Sequence, residues 1–187
     1  MKTTVKSFFL LILASATLAA CDDCGNISIT EPTPEDSQWL VYGTGDTALF
    51  KDQAGNTITY LRTGIYAQNV PGDGFSVTDD CVSQRNTQVT NIIEDKDRKL
   101  PYMGTYILKK PDSLIVKIGV GDKAAWNITS STPTEDYKLN DTLYTAYILE
   151  RADTATEGPA KVYFTKEKGF VKVEFDNENS LELINVY

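Results

Sequence analysis

The chain has 187 residues, with 18 Lys plus Arg, 26 Asp plus Glu, three Cys and no His, and its net charge is −8. The absence of histidine excludes a Ser-His-Asp triad, a Cys-His dyad and a His-ligated metal site, and three cysteines cannot form a four-Cys zinc site. The acidic balance, with no basic cluster longer than Lys109-Lys110, argues against a nucleic-acid partner. Carboxylates, lysines and tyrosines leave other catalysis open, but no pattern of them indicates a reaction. We expect a non-enzymatic protein without metal or cofactor.

Residues 1–20 have the pattern of a secretory leader. Lys2 and Lys6 form a positive start, and residues 8–14 form an apolar core. That core is too short for a membrane-spanning helix, which needs about 20 apolar residues. No other segment approaches that length, so we expect an exported chain without a transmembrane helix.

The leader ends in Leu18-Ala19-Ala20-Cys21, which resembles the lipobox of bacterial lipoproteins. The resemblance implies that Cys21 is acylated and becomes the new N-terminus, so that the protein is anchored to a membrane by lipid. A plain signal peptide cut beside Cys21 is the alternative. Asp22 and Asp23 resemble an inner-membrane retention mark in some bacteria and a surface-export signal in others. We expect the outer membrane, with the periplasmic or surface-facing leaflet left open.

Residues 21–37 are polar, contain Pro32 and Pro34, and are interpreted as the lipidated N-terminus and a tether. Residues 27–29 (Ile-Ser-Ile) have an alternative role as a strand at a sheet edge. Outside the cytoplasm Cys24 and Cys81 are expected to form a disulfide, which would contribute roughly 3–4 kcal/mol through the loop that it closes. Two free buried thiols are the alternative.

Residues 38–187 are predicted to be one antiparallel β domain. Apolar residues alternate with polar ones over 114–120, 161–165, 171–176 and 181–184, as in sheets with one buried face. The segment 143–149 is apolar on both faces and is predicted to be a central strand. We expect about ten strands with little helix, connected as a meander that forms a half-barrel, a barrel or a sandwich.

Two segments carry a family resemblance. Residues 39–50 (Trp-Leu-Val-Tyr-Gly-Thr-Gly-Asp-Thr-Ala-Leu-Phe) and 169–175 (Gly-Phe-Val-Lys-Val-Glu-Phe) are similar to the opening and closing strands of small Gram-negative outer-membrane lipoproteins, including half-barrel lipoprotein carriers. The resemblance implies a meandering sheet curled around a helix or an apolar groove, and it brings no catalytic residues. Ordinary core positions are the alternative for Trp39, Tyr42 and Phe50.

Asp-(Ser/Thr)-(small or aliphatic) occurs four times, which resembles an O-glycosylation sequon of some anaerobic Gram-negative bacteria. The candidate acceptors are Thr47, Ser113, Thr142 and Thr154. Thr154 is the best placed, in a polar stretch. The alternative is turn chemistry, because Asp followed by Thr or Ser suits strand starts.

Two groups of carboxylates, one at Asp73, Asp79 and Asp80 and one at Glu94, Asp95 and Asp97, are interpreted as solvated turns and not as cation sites. The sequence thus favours a lipid-anchored binding or interaction module with a protein or glycan partner. The alternative is a carrier or sensor of a small apolar ligand in a half-barrel, which needs an apolar groove of at least about 300 Å³. The oligomeric state stays open.

Overall fold

A computed structural model describes residues 25–122, 124–151 and 158–187, and these residues form mainly β-structure. These described residues contain one helix, α1 (Pro34–Ser37). The strands are β1 (Ser28–Thr30), β2 (Thr47–Asp52), β3 (Thr57–Pro71), β4 (Gln84–Asp95), β5 (Met103–Lys110), β6 (Ser113–Val120), β7 (Ala124–Ile128), β8 (Thr134–Leu139), β9 (Thr142–Glu150), β10 (Pro159–Thr165), β11 (Gly169–Phe175) and β12 (Ser180–Val186). The prediction of a mainly β chain with little helix is confirmed.

The strands form one sheet in the order β7-β6-β5-β4-β3-β2-β12-β11-β10-β9-β8, with β1 beside β4. Two runs of consecutive hairpins are joined where the last strand, β12, pairs antiparallel with β2. The two edge strands, β7 and β8, follow each other in the chain. The indole Nε1 of Trp126 on β7 donates to the carbonyl oxygen of Glu150 on β9 at 2.9 Å. The sheet therefore curls back toward itself as a half-barrel.

Alternation of side chains explains which face of the sheet is inside. On β6, Val116, Ile118 and Val120 are buried while Lys117 between them is exposed. The largest fully buried side chains include Phe50, Tyr60, Phe164 and Phe170. Burying one such aromatic ring stabilises the fold by roughly 2–3 kcal/mol. The inside of the half-barrel is thus an apolar core built from both hairpin runs.

The predicted tether contains structured residues. β1 pairs in parallel with the start of β4, Ser28 opposite Gln84, which is the edge-strand alternative for residues 27–29. In α1 the Thr33 hydroxyl accepts from the Asp36 N–H at 3.2 Å, and the Asp36 carboxylate accepts from the Thr33 N–H at 2.8 Å, so the two residues form a capping box. Asp36 also pairs with Lys109 of β5 at 3.1 Å. In the described residues, regular structure thus begins before residue 38.

Two finer predictions about the strands are wrong. There are 12 described strands rather than about ten, because the polar strand β4 has no regular apolar alternation and β1 falls on residues interpreted mainly as a tether. The segment 143–149 lies in β9, which is next to the edge strand β8 and not central. Its Leu143 is 64% exposed, whereas Ala146 and Leu149 are buried. The apolar run thus reports burial on two faces, and not a central position in the sheet.

Candidate binding site at the mouth of the half-barrel

Five chain connections meet at one end of the half-barrel, here called the mouth. They are the connections β2–β3, β4–β5, β6–β7, β9–β10 and β11–β12, which lie at the same end because antiparallel strands reverse direction at every turn. Residues of all five line a cavity of about 960 Å³. This volume is at the upper end of the range of small-molecule sites.

The cavity has an apolar floor and a polar rim. The floor consists of side chains at the strand ends, and it includes Ile58, Leu100, Val120, Phe175 and Leu181. The rim is rich in acids and amides, and it includes Asp52, Asp97, Asp122, Asn177 and Asn179, with Lys96 and Lys99 beside them. This arrangement suits a molecule with an apolar body and a polar or cationic edge.

Asp95 holds the longest described connection of the mouth, between β4 and β5, in place. Its buried carboxylate accepts hydrogen bonds from the backbone N–H groups of Asp97 at 3.1 Å, Lys99 at 2.9 Å and Leu100 at 3.2 Å. The Tyr60 hydroxyl donates to the carbonyl oxygen of Pro101 in the same loop at 2.9 Å. A loop fixed by charge-assisted bonds keeps its shape when the cavity is empty.

Other polar contacts fix the neighbouring turns. Arg151 pairs with Asp176 at 2.6 Å, which links the β9–β10 connection to the β11–β12 turn. The Tyr102 hydroxyl donates to Asp122 at 2.7 Å, and this bond raises the pKa of the Tyr102 phenol. The Asn56 side chain donates to Asp52 at 2.9 Å and lowers the pKa of that carboxyl. Asp52 is thus charged at neutral pH, and the rim is preorganised.

The end of the half-barrel opposite the mouth is closed by residues 39–42. The Trp39 ring packs 5.3 Å from Tyr147 and 6.3 Å from Phe164, measured between ring centroids. The Tyr42 hydroxyl accepts from the Phe170 N–H at 3.0 Å, and the Asn91 side chain donates to the Tyr42 carbonyl oxygen at 2.8 Å. The core alternative for Trp39, Tyr42 and Phe50 therefore holds, and the interior of the half-barrel is closed at this end.

Alkaline pH is expected to destabilise the fold through buried tyrosines. Burial raises the pKa of Tyr42 and Tyr60, and Asp95 adds to the shift of Tyr60. The folded state thus holds these protons more tightly than the unfolded state, so stability is complete below a tyrosine pKa of about 10 and falls as pH rises above it. The slope is up to about 1.4 kcal/mol per pH unit for each tyrosine.

Urea unfolding midpoints at about pH 9, 10 and 11 measure this slope. Tyr60→Phe should flatten it, whereas the variant of the exposed Tyr187, Tyr187→Phe, should leave it unchanged. Equal slopes in both variants and the parent chain would contradict the assignment to Tyr60.

Three of the four predicted glycosylation acceptors are described, and each stands at or beside a strand start. Thr47 begins β2, Ser113 begins β6 and Thr142 begins β9. Ser113 and Thr142 are exposed and Thr47 is half-buried. Thr154 lies outside the described residues. The positions agree with the turn-chemistry alternative, and glycosylation stays a prediction.

The predicted cysteine chemistry falls largely on residues that the structure does not describe. Cys21 and Cys24 are both outside the described ranges, and Cys81 is half-buried shortly before β4. Because Ser28 pairs with Gln84 in parallel, the same register brings Gly25 level with Cys81. The Cys24–Cys81 bridge and the lipidation of Cys21 stay predictions.

The two carboxylate groups serve turns, but the prediction that they are solvated is wrong for Asp95, which is 6% exposed. The Asp79 carboxylate accepts from the Ser76 N–H at 2.6 Å, Asp73 pairs with Lys110 at 2.8 Å, and Asp95 organises its loop as described above. Within residues 25–122, 124–151 and 158–187, no group of three or more His, Cys, Asp or Glu is arranged to hold a metal ion.

The sequence did not single out the mouth. Its residues lie in five separate turns, and no local motif connects them. Only the topology could have indicated it, since every second turn of a meander lies at the same end of the sheet.

Comparisons of the chain with protein-family models, with curated proteins and with solved structures found no match. Over the described residues, no helix has the length and apolar character needed to cross a membrane.

Proposed function

We propose that this chain is a lipid-anchored binding module of the outer membrane, without enzymatic activity, and that its ligand occupies the mouth cavity. The observation that carries the proposal is the cavity of about 960 Å³, with its apolar floor and acidic rim. The floor offers burial for an apolar body, and the rim offers partners for polar or cationic groups. The proposed protein is thus a binding module, as favoured by the sequence. Its ligand is a small molecule, as in the alternative of a carrier or sensor.

The packed interior limits how such a ligand binds. Phe50, Tyr60, Phe164 and Phe170 are fully buried inside the half-barrel, so the ligand would rest on the core and would not pass through it. A site at the mouth suits a molecule of drug-like size with one polar face. A long acyl chain would need a deeper channel, so we propose a compact amphipathic ligand.

Membrane attachment and location belong to the same proposal. They are supported by the leader and the Leu18-to-Cys21 motif. Protease treatment of intact cells, with immunodetection of the β domain, tests the leaflet. Cleavage in intact cells would indicate the surface, and protection until the outer membrane is permeabilised would indicate the periplasmic side.

Ligand binding at the mouth is tested with the neutral fluorescent probe N-phenyl-1-naphthylamine and the full chain in detergent micelles. We expect saturable fluorescence enhancement with a Kd of roughly 1–100 µM. Ile58→Trp should fill the floor and weaken binding about ten-fold, which corresponds to about 1.4 kcal/mol. Leu143→Trp, on an exposed position of β9, is the matched control.

The two variants separate a specific site from dye partition into micelles or aggregates. Equal binding by Ile58→Trp, Leu143→Trp and the parent chain would remove the mouth as the dye site. Absence of saturable binding to the parent chain would refute a preformed apolar site at the mouth.

A further inference from the structure

A long edge of β3 has no strand beside it. β3 pairs with β4 along Tyr60–Pro71, but it pairs with β2 only along Thr57–Leu61. Before β2 the chain turns away at residues 43–46, where the Asp46 N–H donates to the Gly43 carbonyl oxygen at 3.3 Å. No described strand continues the row of β2 along β3, so the edge of residues 63–71, here called the β3 edge, is open.

The β3 edge has little of the usual protection of edge strands: a bulge between Arg62 and Gly64 lies at its start and Pro71 at its end, but nothing protects the residues between them. Natural edges carry lysines, inward charges or prolines that block pairing with other chains. Residues 63–70 (Thr-Gly-Ile-Tyr-Ala-Gln-Asn-Val) contain no charge and no proline. Residues 65–69 are all exposed, with Ile65 at 48% and Tyr66 at 63%. An unprotected edge of this length is the template for strand addition.

A groove accompanies the edge on the inner face of the sheet. It has a volume of about 530 Å³, and Ile65 and Ala67 of β3 line it together with Val89 of β4 and Leu40. An added strand in the row of β2 would place every second side chain over this groove. Main-chain hydrogen bonds and an apolar groove together make a recognition site for an extended segment.

Charges at the two ends of the β3 edge indicate which charged residues an added strand would carry at its own two ends. Arg62 stands where the row of β2 stops, and its guanidinium donates to the Thr44 hydroxyl at 2.6 Å. The other end carries Glu31, which lines the groove, and Asp73, whose carboxylate already pairs with Lys110. A strand that continues β2 runs antiparallel to β3, so its C-terminal end meets Arg62 and its N-terminal end meets the acids.

We propose that the β3 edge binds an extended segment of a partner protein by strand addition. The segment alternates apolar and polar residues, carries a basic residue at its N-terminal end, and ends in an acidic residue or C-terminal carboxylate beside Arg62. A second copy of this chain fits less well. If two β3 edges paired antiparallel, the N-terminal segments of the two copies would point in opposite directions. This argument rests on the proposed function, because two copies anchored by lipid in one membrane need both N-terminal segments on the same side.

The test uses a labelled nine-residue probe peptide and the full chain in detergent micelles, followed by fluorescence anisotropy. The peptide has an N-terminal lysine, alternating threonine and valine, and a C-terminal aspartate with a free carboxylate. We expect saturable binding with a Kd of roughly 10–100 µM. Ala67→Lys, which puts a charge on the exposed inner face, should weaken binding about ten-fold. Leu143→Lys is the matched control.

Two further measurements distinguish strand addition from adhesion to an apolar groove. N-methylation of alternate residues on the edge of the peptide that faces β3 should abolish binding, because it removes the main-chain donors. Arg62→Gln should weaken the acidic peptide about five-fold and leave a C-terminally amidated, uncharged peptide unaffected. Circular dichroism melting of each variant confirms that the fold is retained.

The proposal is overturned if the peptide fails to saturate up to about 1 mM, or if Ala67→Lys and Leu143→Lys bind it equally. It is also overturned if sedimentation velocity shows a dimer of the parent chain that Ala67→Lys dissociates, because the occupant is then a second copy. The naphthylamine probe reports on the mouth, at the opposite end of β4. A failure of the naphthylamine experiment at the mouth and a failure of the peptide experiment at the β3 edge are therefore separate results.

Discussion

Replacing Gly169 with alanine is expected to lower the free energy of unfolding by about 3 kcal/mol. Gly169 has a φ of +74°, where a residue with a Cβ is strained by about 1 kcal/mol. A Cβ at this position would also meet the buried Tyr42 side chain, with the ring carbon Cζ at 2.7 Å. Tyr42 is held by its hydrogen bond to Phe170, so the ring cannot move without breaking that contact. Urea unfolding followed by circular dichroism measures the loss.

Gly45→Ala is the matched control for Gly169→Ala. Gly45 has a φ of +88°, but a Cβ there would meet nothing within 4 Å. Its loss should be about 1 kcal/mol, from backbone strain alone. The difference between the two variants measures the contact with Tyr42. If both variants lose the same free energy of unfolding, residues 39–42 can move aside without cost. That result would contradict the description of this segment as a fixed closure.

Asp95→Ala is expected to lower the free energy of unfolding by about 3 kcal/mol and to weaken binding of the naphthylamine probe about five-fold. Its carboxylate accepts three backbone N–H bonds from the loop that precedes β5. Bonds to a charged acceptor contribute more than neutral ones, and their loss leaves N–H groups without a partner. Because this loop forms one wall of the mouth, stability and binding should fall together.

Asp97→Ala is the matched control for Asp95→Ala, because it removes a negative charge from the same loop without removing the hydrogen bonds that the Asp95 carboxylate accepts. Asp97 is an exposed acid of the same loop, and it pairs with Lys99 at 3.7 Å on the surface. Such a pair contributes less than about 1 kcal/mol. Asp97→Ala should therefore leave the unfolding midpoint almost unchanged. A loss in Asp97→Ala as large as that in Asp95→Ala would contradict the role given to the buried carboxylate.

Strands with one apolar face were predictable from local alternation. Residues 114–120 and 171–175 were expected to alternate, and they lie in β6 and β11. β4 escaped this reasoning because its buried face is partly polar. Thr87 and Asn91 lie on that face and are buried, and they form hydrogen bonds to Asn69 and to the Tyr42 carbonyl oxygen. A period-2 rule that counts apolar residues cannot detect such a strand.

The error about β9 has a long-range cause. The Tyr137 hydroxyl on β8 donates to Glu182 on β12 at 3.0 Å, and the Asn140 side chain donates to the Ile184 carbonyl oxygen at 2.9 Å. The β8–β9 hairpin thus contacts a strand that is not its neighbour in the sheet. Local sequence does not reveal this fold-back, so the apolar run of β9 could not show that the strand lies next to the edge of the sheet. The mouth was unpredictable for a similar reason, since it depends on five turns that are distant in sequence.

The position of β1 bears on how the molecule would stand on a membrane. β1 lies at the start of β4, whereas the mouth lies at its end, about 35–40 Å away along a strand of this length. The six residues between Cys21 and Ser28 span at most about 25 Å. A lipid on Cys21 would thus hold the residue 39–42 closure near the bilayer and turn the cavity toward the aqueous phase. On either leaflet a ligand would arrive from the aqueous phase, and the chain would not extract lipids from its own membrane.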